Sequence, residues 1–295
     1  MAGSTIPRRA LGRILKRLRL KAGKGQLAAG LVIEVSPQVI SRMEDGIPVR
    51  VCTSQYRDLL ALYGADGEET SQVLALLKEV KAAKGDPRGG WWRAYADVVG
   101  SYFDHYMSLE EASNHLTTFQ LTLLPGLFQT SAYRRSMIIT GAPDMSAVDV
   151  ERRIELAARR QARITADADF RIDVMLAESV LRHQVGGPAV MVEQLDHLAR
   201  IGELPNVSVR VVPHGVGTYL GLIVQSFTMF EFPPLQRGLK EPPVIFVEGY
   251  KGALFQEDAE VLGLYRNAVK EIGGVALDAE ASRKLLIDCA KECAA

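Results

Sequence analysis

The sequence predicts a two-domain chain: an all-α N-terminal domain followed by an α+β domain with a small mixed sheet flanked by helices. Three observations lead there. Up to residue 84, apolar residues recur at helical spacing in five short segments. The run Gly85-Asp86-Pro87-Arg88-Gly89-Gly90 then breaks the chain. Beyond it, β-branched and aromatic runs alternate with helical segments. At 295 residues with 47% hydrophobic content the chain can bury two cores, and the boundaries read as 1–84, a linker at 85–90, and 91–295.

Leu11, Ile14, Leu15 and Leu18 repeat at i, i+3, i+4 and i+7 and predict a first helix that packs on that side, with Arg13, Lys16, Arg17 and Arg19 on the other. Gln26 to Gly46 reads as two short helices around a tight turn. Ser36 is a good N-cap for the second, and Pro37 suits its first position, where a missing N–H costs nothing. Ile40 and Met43 then face inward, leaving Gln38, Val39, Ser41 and Arg42 outward. Asp45-Gly46 ends this helix and Pro48 blocks its continuation. Thr53 or Ser54 can cap a fourth helix holding Tyr56, Leu59, Leu60 and Tyr63. A fifth runs from Glu68 to Lys84 with Val73, Leu74, Leu77 and Val80 inward, completing a small bundle.

The outward residues of the third helix suit the major groove of DNA. A glutamine can bond adenine and an arginine guanine through two atoms, Val39 suits a thymine methyl, and Ser41 a phosphate or base edge. Gln26, at a helix start, can fix a phosphate, and Ser36 and Pro37 frame the reading helix. The formal net charge is zero, yet residues 1–33 hold eight Lys or Arg and no Asp or Glu, so Arg13 and Arg17 are candidate phosphate contacts. The plainer reading is an αα-hairpin with a solvated basic face. The string LGRILKRLRLKAGKGQLAAG with VSPQVISRMEDG resembles the Xre-type, phage-repressor-like helix-turn-helix family at Gln26, Ser36, Gln38, Ile40, Arg42, Glu44 and Gly46. That resemblance implies a DNA-reading third helix. Two positions depart from it: Gly30 stands where the family has Ala, and Glu34 where it has a turn Gly, which predicts a weaker second helix and a strained turn.

After the linker, Trp92, Tyr95, Val99, Tyr102, Phe103 and Tyr106 fall at helical spacing, as core packing or as a ligand box. Thr130 or Ser131 can cap a helix from Ala132 to Thr140, and Ala147 to Ile164 forms a long one whose arginines are expected to pair with Glu151 and Glu155 or to be solvated. Residues 170–176 and 207–212 read as strands joined through a helix from Gly186 to Gly202, a parallel crossover. Leu222 to Phe232 and Val244 to Gly249 read as two further strands, with Pro233, Pro234, Pro242 and Pro243 at a sheet margin. Two helices, Glu257 to Ile272 and Asp278 to Cys293, close the chain.

Three cysteines leave no disulfide framework, and no apolar run approaches membrane-spanning length, so a cytoplasmic, nucleoid-associated protein without membrane contact is expected. The five histidines show no metal-ligand spacing, Cys289 and Cys293 continue an apolar helix face, and no glycine-rich phosphate loop or nucleophile-base pair is present. No catalytic residue, metal or cofactor is expected. Glu178 and Glu248 follow strands, where an α/β sheet places ligand-binding groups, and with Trp92 they are the candidate pocket residues. The motifs Pro-Gly-Leu-x-Gln-Thr at Pro125 to Thr130 and Arg-Arg-Gln at Arg159 to Gln161 resemble the C-terminal domain, of unassigned chemistry, in a large family of Xre-type regulators from high-GC bacteria. Many such regulators are encoded beside a small acidic partner and are called antitoxin-like. The expected function is a transcription regulator, a homodimer on a palindromic operator in double-stranded DNA, with residues 91–295 sensing a small-molecule effector or a partner protein. Two alternatives stay open: an antitoxin-like protein that binds its small partner and autoregulates its operon, and an enzyme on a regulator scaffold.

Overall fold

The computed structural model describes residues 5–83, 90–100, 102–234, 240–250 and 252–294. The expected linker at 85–90 lies outside them except for Gly90. The chain divides into two compact units. Unit 1 gathers Met1–Arg93, Asp104–Ala112 and Pro234–Glu241, and unit 2 gathers Ala94–Phe103, Ser113–Pro233 and Pro242–Ala295.

Unit 1 holds α1 (Thr5–Lys21), α2 (Gln26–Val32), α3 (Pro37–Glu44), α4 (Thr53–Tyr63) and α5 (Gly67–Ala83), and the residues of α6 (Phe103–Ala112) from Asp104 onward. The stripe Leu11, Ile14, Leu15 and Leu18 of α1 is buried against Ile33, Ile40 and Met43, and against Tyr56, Leu59, Leu60 and Tyr63 of α4. The inward face of α5 carries Val73, Leu76, Leu77 and Val80, so Leu76 takes the place expected for Leu74. The cap of α4 also differs: Cys52 is its N-cap, because Gln55 Oε1 accepts the Cys52 N–H at 2.9 Å. The same Gln55 donates to Ile33 O at 2.7 Å and ties α4 to the turn between α2 and α3.

That turn explains both departures noted in the sequence. Val35 N–H returns to Gly30 O at 2.9 Å and leaves Glu34 at φ +56°, the left-handed position that a helix end usually gives to glycine. The strain expected at Glu34 is present. Gly30, in contrast, is required: a Cβ there would stand 2.5 Å from Val35 O. Glu34→Gly should therefore raise stability by about 1 kcal/mol, while Gly30→Ala should lower it by about 1–3 kcal/mol despite alanine's better helix propensity. Urea unfolding of the full chain measures both, and a Gly30→Ala protein as stable as the parent would contradict the close approach.

Unit 2 is a sheet with helices on its faces. Its strands are β1 (His115–Gln120), β2 (Arg171–Ala177), β3 (Val207–Val212), β4 (Phe227–Glu231), β5 (Val244–Gly249) and β6 (Gly252–Gln256), in the spatial order β3-β2-β1-β4-β5-β6. The first three are parallel and the rest antiparallel, which makes the sheet mixed. Its helices are α7 (Ser131–Gly141), α8 (Ala147–Ala166), α9 (Ser179–Arg182), α10 (Pro188–Ile201), α11 (Gly221–Val224), α12 (Ala259–Val275) and α13 (Ala279–Ala294). The crossover expected between β2 and β3 joins neighbouring parallel strands through α9 and α10. Phe119, Met175, Phe227, Met229 and Ile245 pack on one sheet face with Leu262, Ala268 and Ile272 of α12.

Three expectations need correction. The strand expected from Leu222 begins only at Phe227: residues 221–224 form a helical turn, and Gln225 at φ +63° stops the extended chain. The hairpin strand β6 was not anticipated. The aromatic spacing from Trp92 to Tyr106 does not make one helix, since a short 3-10 turn at Trp91–Tyr95 is followed by non-helical residues at 96–100. Arg152 accounts for part of this. It reaches out of α8 to Asp97 at 2.6 Å and to Ala94 O at 2.7 Å, and Arg153 bonds Val98 O. Tertiary partners hold these two arginines, and within α8 Arg152 pairs with Asp149 at 3.4 Å rather than with Glu151 or Glu155.

His115, on β1, is clamped between strands. Its Nε2 lies 2.7 Å from Asp173 on β2 and its Nδ1 2.9 Å from Glu231 on β4. Hydrogen bonds to Asp173 and then Glu231 raise its pKa from 6.5 to about 9, and those to His115 hold both carboxyls below the usual carboxylate range. A histidine whose folded pKa is raised contributes stability in full below its unfolded value, and loses it as pH climbs through the folded one. The thermal stability of the parent should therefore fall as pH rises from about 6.5 to 9, and His115→Gln should flatten that limb. Identical pH profiles would show that the clamp adds nothing.

Candidate nucleic-acid interface

The third helix is seated by backbone contact as much as by its apolar face. Ile40, Met43 and Glu44 are buried. A Cβ on Gly12 of α1 would stand 2.5 Å from both Met43 O and Glu44 O, so α1 crosses the end of α3 where only glycine fits. The helix then closes on Gly46 at φ +69°, with Gly46 N–H to Met43 O at 3.2 Å and Ile47 N–H to Arg42 O at 2.8 Å.

One buried carboxylate clips α1, α2 and α3 together. Glu44 accepts from Arg19 Nε at 2.5 Å and Nη2 at 2.8 Å, and from Gln26 Nε2 at 3.1 Å. The hydrogen bond to Glu44 pushes the Arg19 guanidinium's pKa up. Arg19 therefore belongs to the interior, not to the cationic face assigned to it from its spacing. Gln26 likewise spends its side-chain amide on Glu44 instead of holding it free for a phosphate.

On α3 itself, Gln38 and Arg42 are exposed, Arg42 donating to Pro48 O at 3.3 Å. Ser36 is the N-cap residue in extended conformation, yet its hydroxyl makes no capping bond, and Pro37 occupies the first turn. Ser41 is half-buried, its Oγ 3.4 Å from Asp45. Val39 differs from expectation: it is partly buried and packs on the bundle core, which removes most of the methyl contact it was to offer.

The basic run also thins once folded. Arg8, Arg9 and Arg19 are buried, and Arg9 and Arg13 both pair with the fully buried Glu241, Arg9 at 3.1 Å. Arg13 is thus largely neutralised as a phosphate contact. Lys16, Arg17 and Lys24 are exposed, and Lys21 is exposed beside Glu69 at 3.4 Å. Arg17 thus stays on the solvent-facing side of α1. The family-matching positions Gln26 and Glu44 were the sequence signal for the buried clip, whereas nothing local marks Glu241.

The candidate pocket residues Glu178 and Glu248 do not converge, and Trp92 is spent on packing. Trp92 is 2% exposed, with its indole N–H on Asp104 at 2.8 Å, so it is a buried packing residue of unit 1. Glu178 accepts from Arg182 at 2.9 Å and from the His214 N–H at 3.0 Å. Glu248 accepts from Tyr102 at 2.5 Å. Their strands, β2 and β5, are separated by β1 and β4, three spacings or roughly 14 Å.

The two motifs of unit 2 meet each other instead. Gln161 donates to Gln129 O at 2.7 Å, Gln129 to Leu124 O at 2.7 Å, and Gln194 to Phe128 O at 2.7 Å while accepting from the Thr130 N–H at 2.7 Å. Arg134 adds a bond to Gln129 Oε1 at 3.0 Å. Side-chain amides thus satisfy a loop whose Leu127 and Phe128 are buried, as buried backbone requires. Among the described residues no group of His, Cys, Asp or Glu is arranged to hold a metal ion, and no helix is long and apolar enough to cross a membrane.

A bundle that presents one solvent-facing helix on a seat of two others defines a helix-turn-helix protein. Residues 10–73 match the family model described as a helix-turn-helix domain, which points to DNA binding and regulation of transcription. Residues 103–288, more than half of the chain, match a domain of unknown function, DUF5753, and the chain belongs to that family. No curated protein and no solved structure matches it.

Proposed function

We propose that this protein is a sequence-specific, Xre-type transcription regulator that binds a palindromic operator as a homodimer in the cytoplasm. The observation that carries this is the pairing of exposed Gln38 and Arg42 on a helix whose opposite side is locked by Gly12 and Glu44. Such side chains keep a fixed register against base edges. A helix of eight residues, about 12 Å long, covers one turn of major groove, and two such helices set 34–36 Å apart read a palindrome. Unit 2 is read as a receiver for a small molecule or a partner protein. It is not read as a catalyst, because its polar groups close on one another: His115 with two carboxylates, Glu178 with Arg182, and the glutamines with a loop. An effector then acts through its differential affinity for two arrangements of the chain, typically about 1–3 kcal/mol of coupling.

Sequencing the fragments that the purified full chain retains from random DNA tests the reading, and one enriched palindrome is the expected result. On that site Gln38→Ala and Arg42→Ala should each lose about 1–3 kcal/mol of discrimination against scrambled DNA. Arg17→Ala should weaken all sequences alike and flatten the salt dependence. Retention without any enriched motif would overturn sequence-specific regulation.

A further inference from the structure

The two edges of the sheet in unit 2 are not alike. At β3 the outward backbone of Val211 is occupied: its N–H donates to Ser282 Oγ at 2.9 Å, and its O accepts the Leu277 N–H at 2.8 Å. At the other end β6 is the last strand, and among the described residues its strand neighbour is β5 alone. Its sequence, Gly252-Ala253-Leu254-Phe255-Gln256, carries no charge and no proline, the usual guards of an exposed edge. Its central residue, Leu254, is 60% exposed, and Tyr250 just before it is 99% exposed.

We propose that β6 is the surface through which two copies of this chain associate, pairing antiparallel across a two-fold axis at Leu254 so that the sheet runs on from one subunit into the other. This names the interface of the dimer in the functional reading above and rests on that reading. A second copy fits better than another partner for two reasons. With the two-fold axis at Leu254, that residue meets its own copy, Ala253 meets Phe255 and Gly252 meets Gln256, so the pairing brings no like charges together. With β3 closed at Val211 by the start of α13, the described residues offer β6 as the open edge, and association there closes at two instead of growing into a filament.

The pairing sets Leu254 opposite its copy at a Cα separation of about 4.5–5.5 Å, inside the range a disulfide spans. The test is sedimentation of the full chain at low micromolar concentration beside Leu254→Lys. It is joined by oxidation of a Leu254→Cys chain that also carries Cys52→Ser and Cys293→Ser. The parent should sediment as a dimer, Leu254→Lys should dissociate at concentrations at least tenfold higher, and Leu254→Cys should give a covalent dimer. Circular dichroism should match the parent in both variants, since the side chain is exposed. A parent dimer that Leu254→Lys leaves intact and Leu254→Cys does not cross-link overturns the β6 contact while the dimer reading stands. A parent that stays monomeric at the concentration where it holds its palindrome overturns both.

Discussion

Arg19→Ala is expected to be the most damaging single change in unit 1, costing about 3–5 kcal/mol. The reason is burial. Glu44 and Arg19 are each under a tenth exposed, and removing the cation leaves a carboxylate inside the bundle with only the Gln26 amide for company. For a domain of this size about 3 kcal/mol lowers the midpoint of thermal unfolding by more than roughly 10 °C. The pair itself need not be a net stabiliser, because two charges must leave water to form it. Arg19→Met combined with Glu44→Leu should therefore recover much of what either single change loses. Calorimetry of the parent, both single variants and the double variant gives the coupling directly. A loss below about 1 kcal/mol in Arg19→Ala would mean that water reaches Glu44 and that the clip is not buried in solution.

Gly12→Ala is expected to follow closely, for a steric reason. The added methyl would stand 2.5 Å from two backbone oxygens of α3, and neither is the movable end of a side chain. The helices must part, at about 1–3 kcal/mol or more. The shift falls on α3, so under the proposed function operator binding should drop at least tenfold even at temperatures where the variant remains folded. Gly67→Ala is the control. Gly67 opens α5 with nothing near its would-be Cβ, and the same change there should leave stability unchanged or slightly raised. Unfolding and operator titration on the three proteins separate seat from scaffold, and full affinity in a folded Gly12→Ala chain would remove the close crossing from the account.

Much of unit 1 was legible from the sequence because its signals are local. The α1 stripe, the proline at the start of α3, the glycine at its end and the aromatic face of α4 each depend on neighbours within a few residues. Unit 2 was legible in part. The parallel pair around α10 and the two closing helices announced themselves by period, whereas β6 is short and glycine-flanked and gave no such signal. The Pro125 and Arg159 motifs were visible as motifs, but that one supplies a loop and the other an amide to hold it became evident only when both were in space.

By itself the sequence determined which residues form α3 and that Gln38 and Arg42 face outward, since helical period and a proline at a helix start are properties of adjacent residues. Tertiary structure alone decided which charges of the basic run remain exposed. Arg9 and Arg13 meet a carboxylate more than 200 residues away, and Arg19 turns inward to Glu44, while Arg17 stays in water. It also decided that Gly30 is a necessity, because the oxygen that excludes a methyl there belongs to Val35 across the turn. Periodicity records how a residue is turned about its own helix axis. Pairing and close approach depend on what another segment brings to it, and that distance is set only when the chain has packed.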